Sequence, residues 1–170
     1  WKKPDITIIK AWDELREEGR LTIEERAVAL DIETTGLDPG RDKVLSLALA
    51  QGPNVATFFL KGKLGWREMS ALLRTNGVPQ TIIGHNLMFD ASFLRRQENI
   101  DLTKFKWFDT RIAYALLYPE HRRNSLKVIG PILTRLSYPF QTMDVIHRYV
   151  EKGKYTNLMT YNALDTIITY

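Results

Sequence analysis

Asp31 and Glu33 are two carboxylates with one residue between them, at the end of an apolar run that begins at Ala27. Residues two positions apart on a β-strand point to the same face, so both carboxylates can converge on one point. Two uncompensated carboxylates beside an apolar core repel each other and are poorly solvated, which predicts a cation between them. Oxygen ligands without Cys or His favour Mg²⁺ or Mn²⁺. For this pair alone, a simple turn-capping role for Asp31 is the commoner explanation.

Asp90 is a third carboxylate, in a separate segment of the chain. It lies four residues after Asn86, whose residue type often begins a helix, so both are expected on one helix face. Apolar residues recur at helical spacing over residues 87–97, which supports a helix there. By itself, Asp90 can also be a first-turn acid that the helix dipole favours.

Tyr161 and Asp165 form the third group, and their spacing of four places a phenol and a carboxylate side by side on one helix face. A hydrogen bond that only stabilises this helix is a competing explanation of the pair. The combination of all three groups is harder to explain in this way. Four acids in three widely separated segments each lie next to apolar sequence. A fold that brings these segments together would surround a site for two metal ions.

The three segments resemble the motifs of the DEDD superfamily of 3′→5′ exonucleases. The matching stretches are residues 31–38 (DIETTGLD), 84–90 (GHNLMFD) and 161–165 (YNALD). This resemblance implies a ribonuclease H-like fold and two divalent metal ions, Mg²⁺ or Mn²⁺, that serve the hydrolysis of a nucleic acid from its 3′ end. It also implies the tyrosine subtype, because Tyr161 is present and Thr160 stands where the other branch has His.

The resemblance gives each site residue an expected role. Asp31, Glu33 and Asp165 would hold one metal ion that activates a water molecule. Asp31 would bridge to a second ion, which Asp90 holds directly or through water. Tyr161 would orient the attacking water together with Glu33, because a phenol with an ordinary pKa near 10 is a poor base at neutral pH. The product would be a nucleoside 5′-monophosphate.

Three further residues are expected to bind substrate on the same resemblance. The main chain near Thr34 would contact the terminal sugar, Leu37 would wedge against the last bases, and Asn86 would lie near the substrate. Leu37 could equally be a core residue, and helix capping alone would explain Asn86. His85 could either touch substrate or pack beside the site. Four aromatic residues are expected in the core rather than as stacking platforms: Phe89, Phe93, Trp107 and Phe108.

The apolar periodicity predicts the strands and helices that carry these residues. The strands are predicted at residues 6–9, 27–32, 44–50, 55–60 and 81–83. The helices are predicted at residues 11–18, 66–74, 87–97, 110–117, 125–134, 142–151 and 156–170. Pro131 is expected to kink or end its helix. Strands followed by helices give a mixed α/β domain with a helical C-terminal half, and the resemblance makes it a ribonuclease H-like mixed sheet flanked by helices.

The chain as a whole has the composition of an ordinary globular domain, with 170 residues of which 44% are hydrophobic and 26% charged. No apolar run is long enough to cross a bilayer, and the first residues are no signal peptide. The absence of Cys excludes disulfides and thiolate zinc sites, and it is compatible with the cytoplasm. Residues 95–135 contain nine basic and four acidic residues, which suits a polyanionic partner, although a solvated surface is the commoner cause.

The sequence around the motifs refines the resemblance. A strand and helix before the first motif, and residues 109–117 followed by residues 125–127, resemble the proofreading domain of bacterial-type family A DNA polymerases. This implies a single-stranded DNA 3′ end as partner and a monomer that acts in the cytoplasm at the replication site. The last predicted helix runs to the end of residues 1–170, which suggests one exonuclease domain excised from a longer polymerase chain. Ribonuclease D-like trimming of RNA stays open, as does a binding module without activity, although no acid is missing.

Overall fold

The computed structural model describes residues 5–9, 26–52, 54–59, 81–134 and 143–170. The helices expected at residues 11–18 and 66–74 lie outside the described residues. Within these ranges, the chain forms a mixed β-sheet with α-helices on both faces. None of the helices in these ranges is long and apolar enough to cross a membrane.

The sheet has six strands, of which five lie within a few residues of their predicted positions. Their bounds are Asp5–Ile9 (β1), Ala27–Thr34 (β2), Val44–Gln51 (β3), Asn54–Phe59 (β4), Thr81–Gly84 (β5) and Lys106–Asp109 (β6). The strand order is β1-β4-β3-β2-β5-β6. The neighbours β2, β3 and β4 run antiparallel, whereas β1 pairs parallel with β4, and β5 and β6 continue parallel from β2. This mixed sheet confirms the predicted fold class.

Five α-helices and one 3₁₀ helix are described, and the α-helices agree closely with the predicted ones. Their bounds are Leu87–Glu98 (α1), Thr110–Leu117 (α2), Leu126–Thr134 (α3), Met143–Glu151 (α4) and Tyr155–Thr169 (α5), with the 3₁₀ helix at Leu102–Lys104. Pro131 does not end its helix, since α3 continues to Thr134, and the alternative that it kinks the helix stays a prediction.

The central strand β2 is covered on both faces. On one face, alternate residues from Val28 to Ile32 pack with Phe93 and Leu94 of α1 in one apolar cluster. On the other face, Ala29 packs with Ala163 of α5. A strand that is buried on both faces has no need of polar alternation, which explains the continuous apolar run in the sequence. The odd-numbered residues of β2 therefore face α5, and the even-numbered residues face α1.

The strand β6 was not predicted, and it lies at the edge of the sheet beside β5. Its residues alternate between exposed and half-buried, which gives a weak signal over four residues. Phe108 is exposed on this strand, so its prediction as a core residue is wrong. Trp107 is partly buried against the main core, as is Phe89, and Phe93 is fully buried there.

Candidate active site

The strand β2 and the helix α5 bring three of the predicted acids together. Asp31 and Glu33 are odd-numbered residues of β2, so they share the face that α5 covers. Asp165 lies on α5, opposite them. One carboxylate oxygen from each of the three residues lies within 4.8 Å of the others, which is a spacing suited to one metal ion. The three acids predicted to share the first ion are therefore neighbours, although they are up to 134 positions apart in the chain.

Asp90 approaches β2 from the helix α1. It is 3% exposed on α1, and its Oδ1 accepts a hydrogen bond from the backbone N–H of Ile32 at 3.0 Å. Ile32 separates Asp31 from Glu33, and the negative charge of Asp90 helps to raise the pKa of both of these acids. Within the described residues, Asp90 is therefore next to the three-acid cluster without being one of its members.

The acids of the site suppress one another's ionisation. Burial raises the pKa of Asp31 well above its ordinary value, and the neighbouring carboxylates raise it further. The pKa of Glu33 is raised in the same way, by burial first and then by Asp165 and Asp90. Burial also raises the pKa of Asp90 to about 8. A divalent cation would compensate these charges and keep the carboxylates ionised, and three hard oxygen donors without Cys or His fit Mg²⁺ or Mn²⁺.

Tyr161 lies one helical turn before Asp165 and is buried beside it. Its pKa is raised above the ordinary value of a phenol, first by burial, then by the charges of Asp165 and Glu33 and by a side-chain hydrogen bond with Asp165. The hydroxyl is therefore protonated throughout the physiological range. It can donate a hydrogen bond in the site, but it cannot serve as a general base there.

The match of the whole sequence decides the family. Residues 6–170 match the sequence profile of a family described as 3′-5′ exonuclease. The chain belongs to this 3′-5′ exonuclease family. The family uses divalent metal ions, and the three-carboxylate cluster is the donor set expected for them. The protein is thus a metal-dependent 3′→5′ exonuclease. Among curated proteins, none matches the sequence.

Several solved structures share the fold of this chain. Brucella melitensis NrnC bound to pGG has a TM-score of 0.75 and 23% identity, with 98% of this chain and 76% of NrnC covered. The structure of NrnC with bound Mg²⁺ gives a TM-score of 0.69 at 22% identity, over 99% of this chain and 77% of NrnC. A mutant of the catalytic core of RRP6 from Trypanosoma brucei has a TM-score of 0.69 and 14% identity, with 97% of this chain and 44% of the RRP6 chain covered. These likenesses confirm the ribonuclease H-like exonuclease fold.

Asn86 does not cap the helix α1 of the exonuclease in the way that its residue type predicts. It adopts a left-handed backbone with φ of 67°, and its side chain makes no capping hydrogen bond. The carboxylate of Asp109 caps instead, since it accepts hydrogen bonds from the N–H groups of Asn86 and Leu87 at 3.1 and 2.8 Å. The side-chain oxygen of Asn86 accepts from Arg111 at 3.1 Å. A carboxylate from β6 therefore fixes the start of the helix that carries Asp90.

The end of β2 and the loop after it contain the other two residues that are expected to bind substrate. Thr34 is buried, and its hydroxyl donates to the carbonyl of Gly36 at 2.6 Å. Leu37 is 76% exposed, which excludes the alternative that it is a core residue. An exposed leucine directly after the strand that carries Asp31 and Glu33 is available to touch substrate. Its contact with terminal bases stays a prediction.

His85 forms a hydrogen-bonded chain with its neighbours instead of extending into the acid cluster. Thr110 donates its only hydroxyl proton to the carbonyl of Gly84 at 3.1 Å, so His85 Nδ1, at 3.0 Å from Thr110 Oγ1, must be the donor to it. Burial lowers the pKa of His85. This histidine is therefore neutral and hydrogen-bonded to Thr110, and its contact with substrate stays a prediction.

Asn162 belongs to the site, and the sequence reasoning missed it. Its side-chain amide is fully buried and donates to Asp31 Oδ2 at 2.6 Å. The available signal was its position three residues before Asp165, which places both on one face of α5. A polar residue on a helix face that packs against a sheet must find a buried partner.

Proposed function

We propose that this exonuclease removes nucleoside 5′-monophosphates from the 3′ ends of single-stranded or frayed DNA, as the proofreading activity of a DNA polymerase. One observation carries the chemistry, namely that Asp31, Glu33 and Asp165 offer oxygens within 4.8 Å of one another. Such a cluster costs free energy in the absence of a cation, because each carboxylate opposes the ionisation of the others. This arrangement therefore favours the binding of a metal ion.

The metal ions are assigned to residues as follows. Asp31, Glu33 and Asp165 would hold one ion, and Asp31 would share a second ion with Asp90. When bound, the ions supply activation of water near neutral pH and stabilisation of the charge on the phosphate and the departing 3′ oxygen. The N–H of Ile32 occupies Asp90 Oδ1, so the other carboxylate oxygen would be the one to contact the ion or a water molecule between them.

The side chains around the ions would orient the attack. Tyr161 would contact the attacking water as a neutral phenol, because its raised pKa keeps the proton on the hydroxyl. Glu33 accepts a hydrogen bond from the same water, and the two contacts aim the oxygen at the terminal phosphorus in line with the leaving 3′ oxygen. Leu37 is exposed at the rim of the site and would hold the last base in place.

Two features support a nucleic-acid strand as substrate and DNA as its chemical class. The side chains of Arg111, Arg122, Arg123 and Lys127 are exposed, and the charge of Lys127 lowers the pKa of Glu33, so Lys127 lies near the acids. Exposed cations beside the site suit the phosphates of a strand. The family match begins at residue 6 and so includes the strand β1, ahead of the first motif, a feature that resembles proofreading domains.

RNA is the second candidate substrate. It is favoured by the likeness to NrnC, which was solved with pGG bound. A wide groove with basic walls accepts either polymer, so substrate preference must be measured.

The test compares 3′-labelled single-stranded DNA, single-stranded RNA and pGG of the same concentration, in Mg²⁺ and in excess chelator. We expect release of 5′-monophosphates from DNA in Mg²⁺, none in chelator, and none with Asp31→Ala. Degradation of RNA or pGG far faster than DNA would replace the proofreading proposal with RNA trimming. If the wild type with Mg²⁺ or Mn²⁺ shortens none of the three, the assignment of the acids is wrong.

A further inference from the structure

A chain of three polar side chains connects the acid cluster to the neighbouring strand. Asn162 on α5 donates from Nδ2 to Asp31 Oδ2 at 2.6 Å. Ser46 on β3 donates from its hydroxyl to Asn162 Oδ1 at 3.2 Å. Asn162 and Ser46 are both 0% exposed, so neither has water as an alternative partner. The chain therefore spans β2, β3 and α5, the elements around the site.

The chemistry of the partners allows only one orientation of the Asn162 amide. An ionised carboxylate can only accept hydrogen bonds, so the amide nitrogen must face Asp31. The amide oxygen then faces Ser46, whose hydroxyl has the one proton that this oxygen needs. Rotation of the amide by half a turn would place its oxygen against the Asp31 carboxylate and leave buried groups unsatisfied, which is costly.

We infer that Asn162 is a positioning residue that fixes the rotation of the Asp31 carboxylate and thereby sets the metal affinity of the site, with Ser46 holding the amide. This inference rests on the proposed assignment of Asp31 as a metal ligand. The three acids of the cluster repel one another, and Asp31 without a donor would rotate away from its neighbours. A neutral amide holds the carboxylate without neutralising it, so the full negative charge stays available to the ion.

The position of Asn162 also explains why an amide suits this place better than a cation. A Lys or Arg side chain would satisfy Asp31 equally well, but its positive charge would compete with the divalent ion for the same carboxylate. Partners that orient a metal ligand typically contribute 10–100-fold to metal affinity. We expect an effect of about this size from Asn162, and a smaller one from Ser46, which acts through it.

The experiment measures Mn²⁺ binding to the metal-free protein by calorimetry, independently of activity. The variants are Asn162→Ala, Asn162→Leu and Ser46→Ala. Thr166→Val is the matched control, because Thr166 is also fully buried on α5 and donates a hydrogen bond at 2.7 Å, but to the carbonyl of Asn162 instead of Asp31. Thermal unfolding in chelator reports whether each variant is folded.

We expect the Kd for Mn²⁺ to rise about 10–100-fold in the Asn162 variants, less in Ser46→Ala, and not in Thr166→Val. Saturating Mn²⁺ should restore most of the kcat of the Asn162 variants. Their KM for the nucleic-acid substrate should be unchanged. A Kd within about twofold of the wild type in every folded variant overturns the inference, and so does an equal rise in Thr166→Val. If the wild type itself binds no Mn²⁺, the proposed metal site fails first, which distinguishes the two failures. If Asn162→Ala does not fold, the Kd values for Mn²⁺ of Asn162→Leu and Ser46→Ala test the inference instead.

Discussion

Asp90 Oδ1 lies 3.0 Å from the backbone nitrogen of Ile32, the residue between the two acids of β2. The contact connects the helix α1 to the central strand across 58 positions of sequence. It gives one oxygen of Asp90 a structural function, whereas a contact of the carboxylate with a metal ion is a prediction. A buried N–H without a partner costs about 1–3 kcal/mol, so the structural function has a measurable size.

Asp90→Asn should separate these functions from each other. The asparagine keeps an oxygen for the N–H of Ile32 but loses the charge, so we expect a wild-type melting temperature and a loss of activity of about 10²-fold or more. Asp90→Ala should lose activity to the same extent and also about 1–3 kcal/mol of unfolding free energy. Exonuclease rates and denaturant unfolding in chelator measure the two effects. Equal stability of the two variants would mean that the contact with Ile32 contributes nothing.

The stability of the metal-free protein should fall as the pH rises. Burial raises the pKa of Asp90 to about 8 in the folded chain, and the pKa values of Asp31 and Glu33 are also raised. The folded state therefore holds protons that the unfolded state, with carboxyl pKa values near 4, has lost. The resulting stabilisation is complete below about pH 4 and is lost progressively as the pH rises through 8.

Thermal unfolding in chelator at pH 6 and pH 9 tests this dependence. We expect the melting temperature to drop by roughly 5 °C or more between the two values. The drop should be smaller in Asp90→Asn, which has no proton to lose. Mg²⁺ should raise the melting temperature more at pH 9 than at pH 6, because the ion binds the ionised carboxylates. A melting temperature that rises with pH in chelator would contradict the raised pKa values.

Local sequence patterns were sufficient to place the four acids on their elements. The apolar run before Asp31 predicted a central strand, and its alternation put Glu33 on the same face. The spacing of four between Tyr161 and Asp165 predicted neighbours on one helix face, and the helix α5 has that geometry. These features depend on the chain within about five residues, which is the range over which strand and helix periodicities operate.

Contacts between distant segments left no such signal. Asn162 and Asp31 are 131 positions apart, and their hydrogen bond depends on how α5 crosses β2. The capping of α1 was assigned to Asn86 by residue type, but Asp109 provides it from β6. That strand is only four residues long and lies at an edge, so neither burial nor length marked it in the sequence.

Tyr161→Phe should keep much more activity than Asp165→Ala. The phenol makes one contact with a water that Glu33 also orients, so we expect a loss of about 10-fold, the low end of the range for groups that only orient a ligand. Asp165→Ala removes a metal ligand and should cost about 10³-fold, equivalent to about 4 kcal/mol. Single-turnover rates at saturating Mg²⁺ provide the comparison.

The pH profile of these rates checks the same assignment. Because the pKa of Tyr161 is raised, no deprotonation of the phenol should appear up to pH 10, and Tyr161→Phe should have the profile of the wild type. A basic limb that disappears in Tyr161→Phe, or a loss as large as that of Asp165→Ala, would give the tyrosine a proton-transfer function.

Gln97 holds the loop that carries Leu37. Its amide nitrogen donates to the carbonyls of Pro39, at 3.2 Å, and of Asp42, and its oxygen accepts from the N–H of Val44 at 3.2 Å. One side chain at the end of α1 thus fixes both the tip and the base of the loop. Gln97→Ala should release the loop and raise KM for single-stranded substrate several-fold, while kcat stays near the wild-type value because the loop contains none of the four acids.

A double-mutant cycle with Leu37→Ala tests whether Gln97 acts through the loop. If Gln97 serves to place Leu37 against the substrate, each single variant removes the same contact, and the double variant should have nearly the KM of either one. Gln97→Glu is the control for charge and shape, since it keeps the acceptor for Val44 but cannot donate to the two carbonyls, and it should behave like Gln97→Ala. Additive increases in KM would show that Gln97 and Leu37 act independently, and the positioning function of Gln97 would then be wrong.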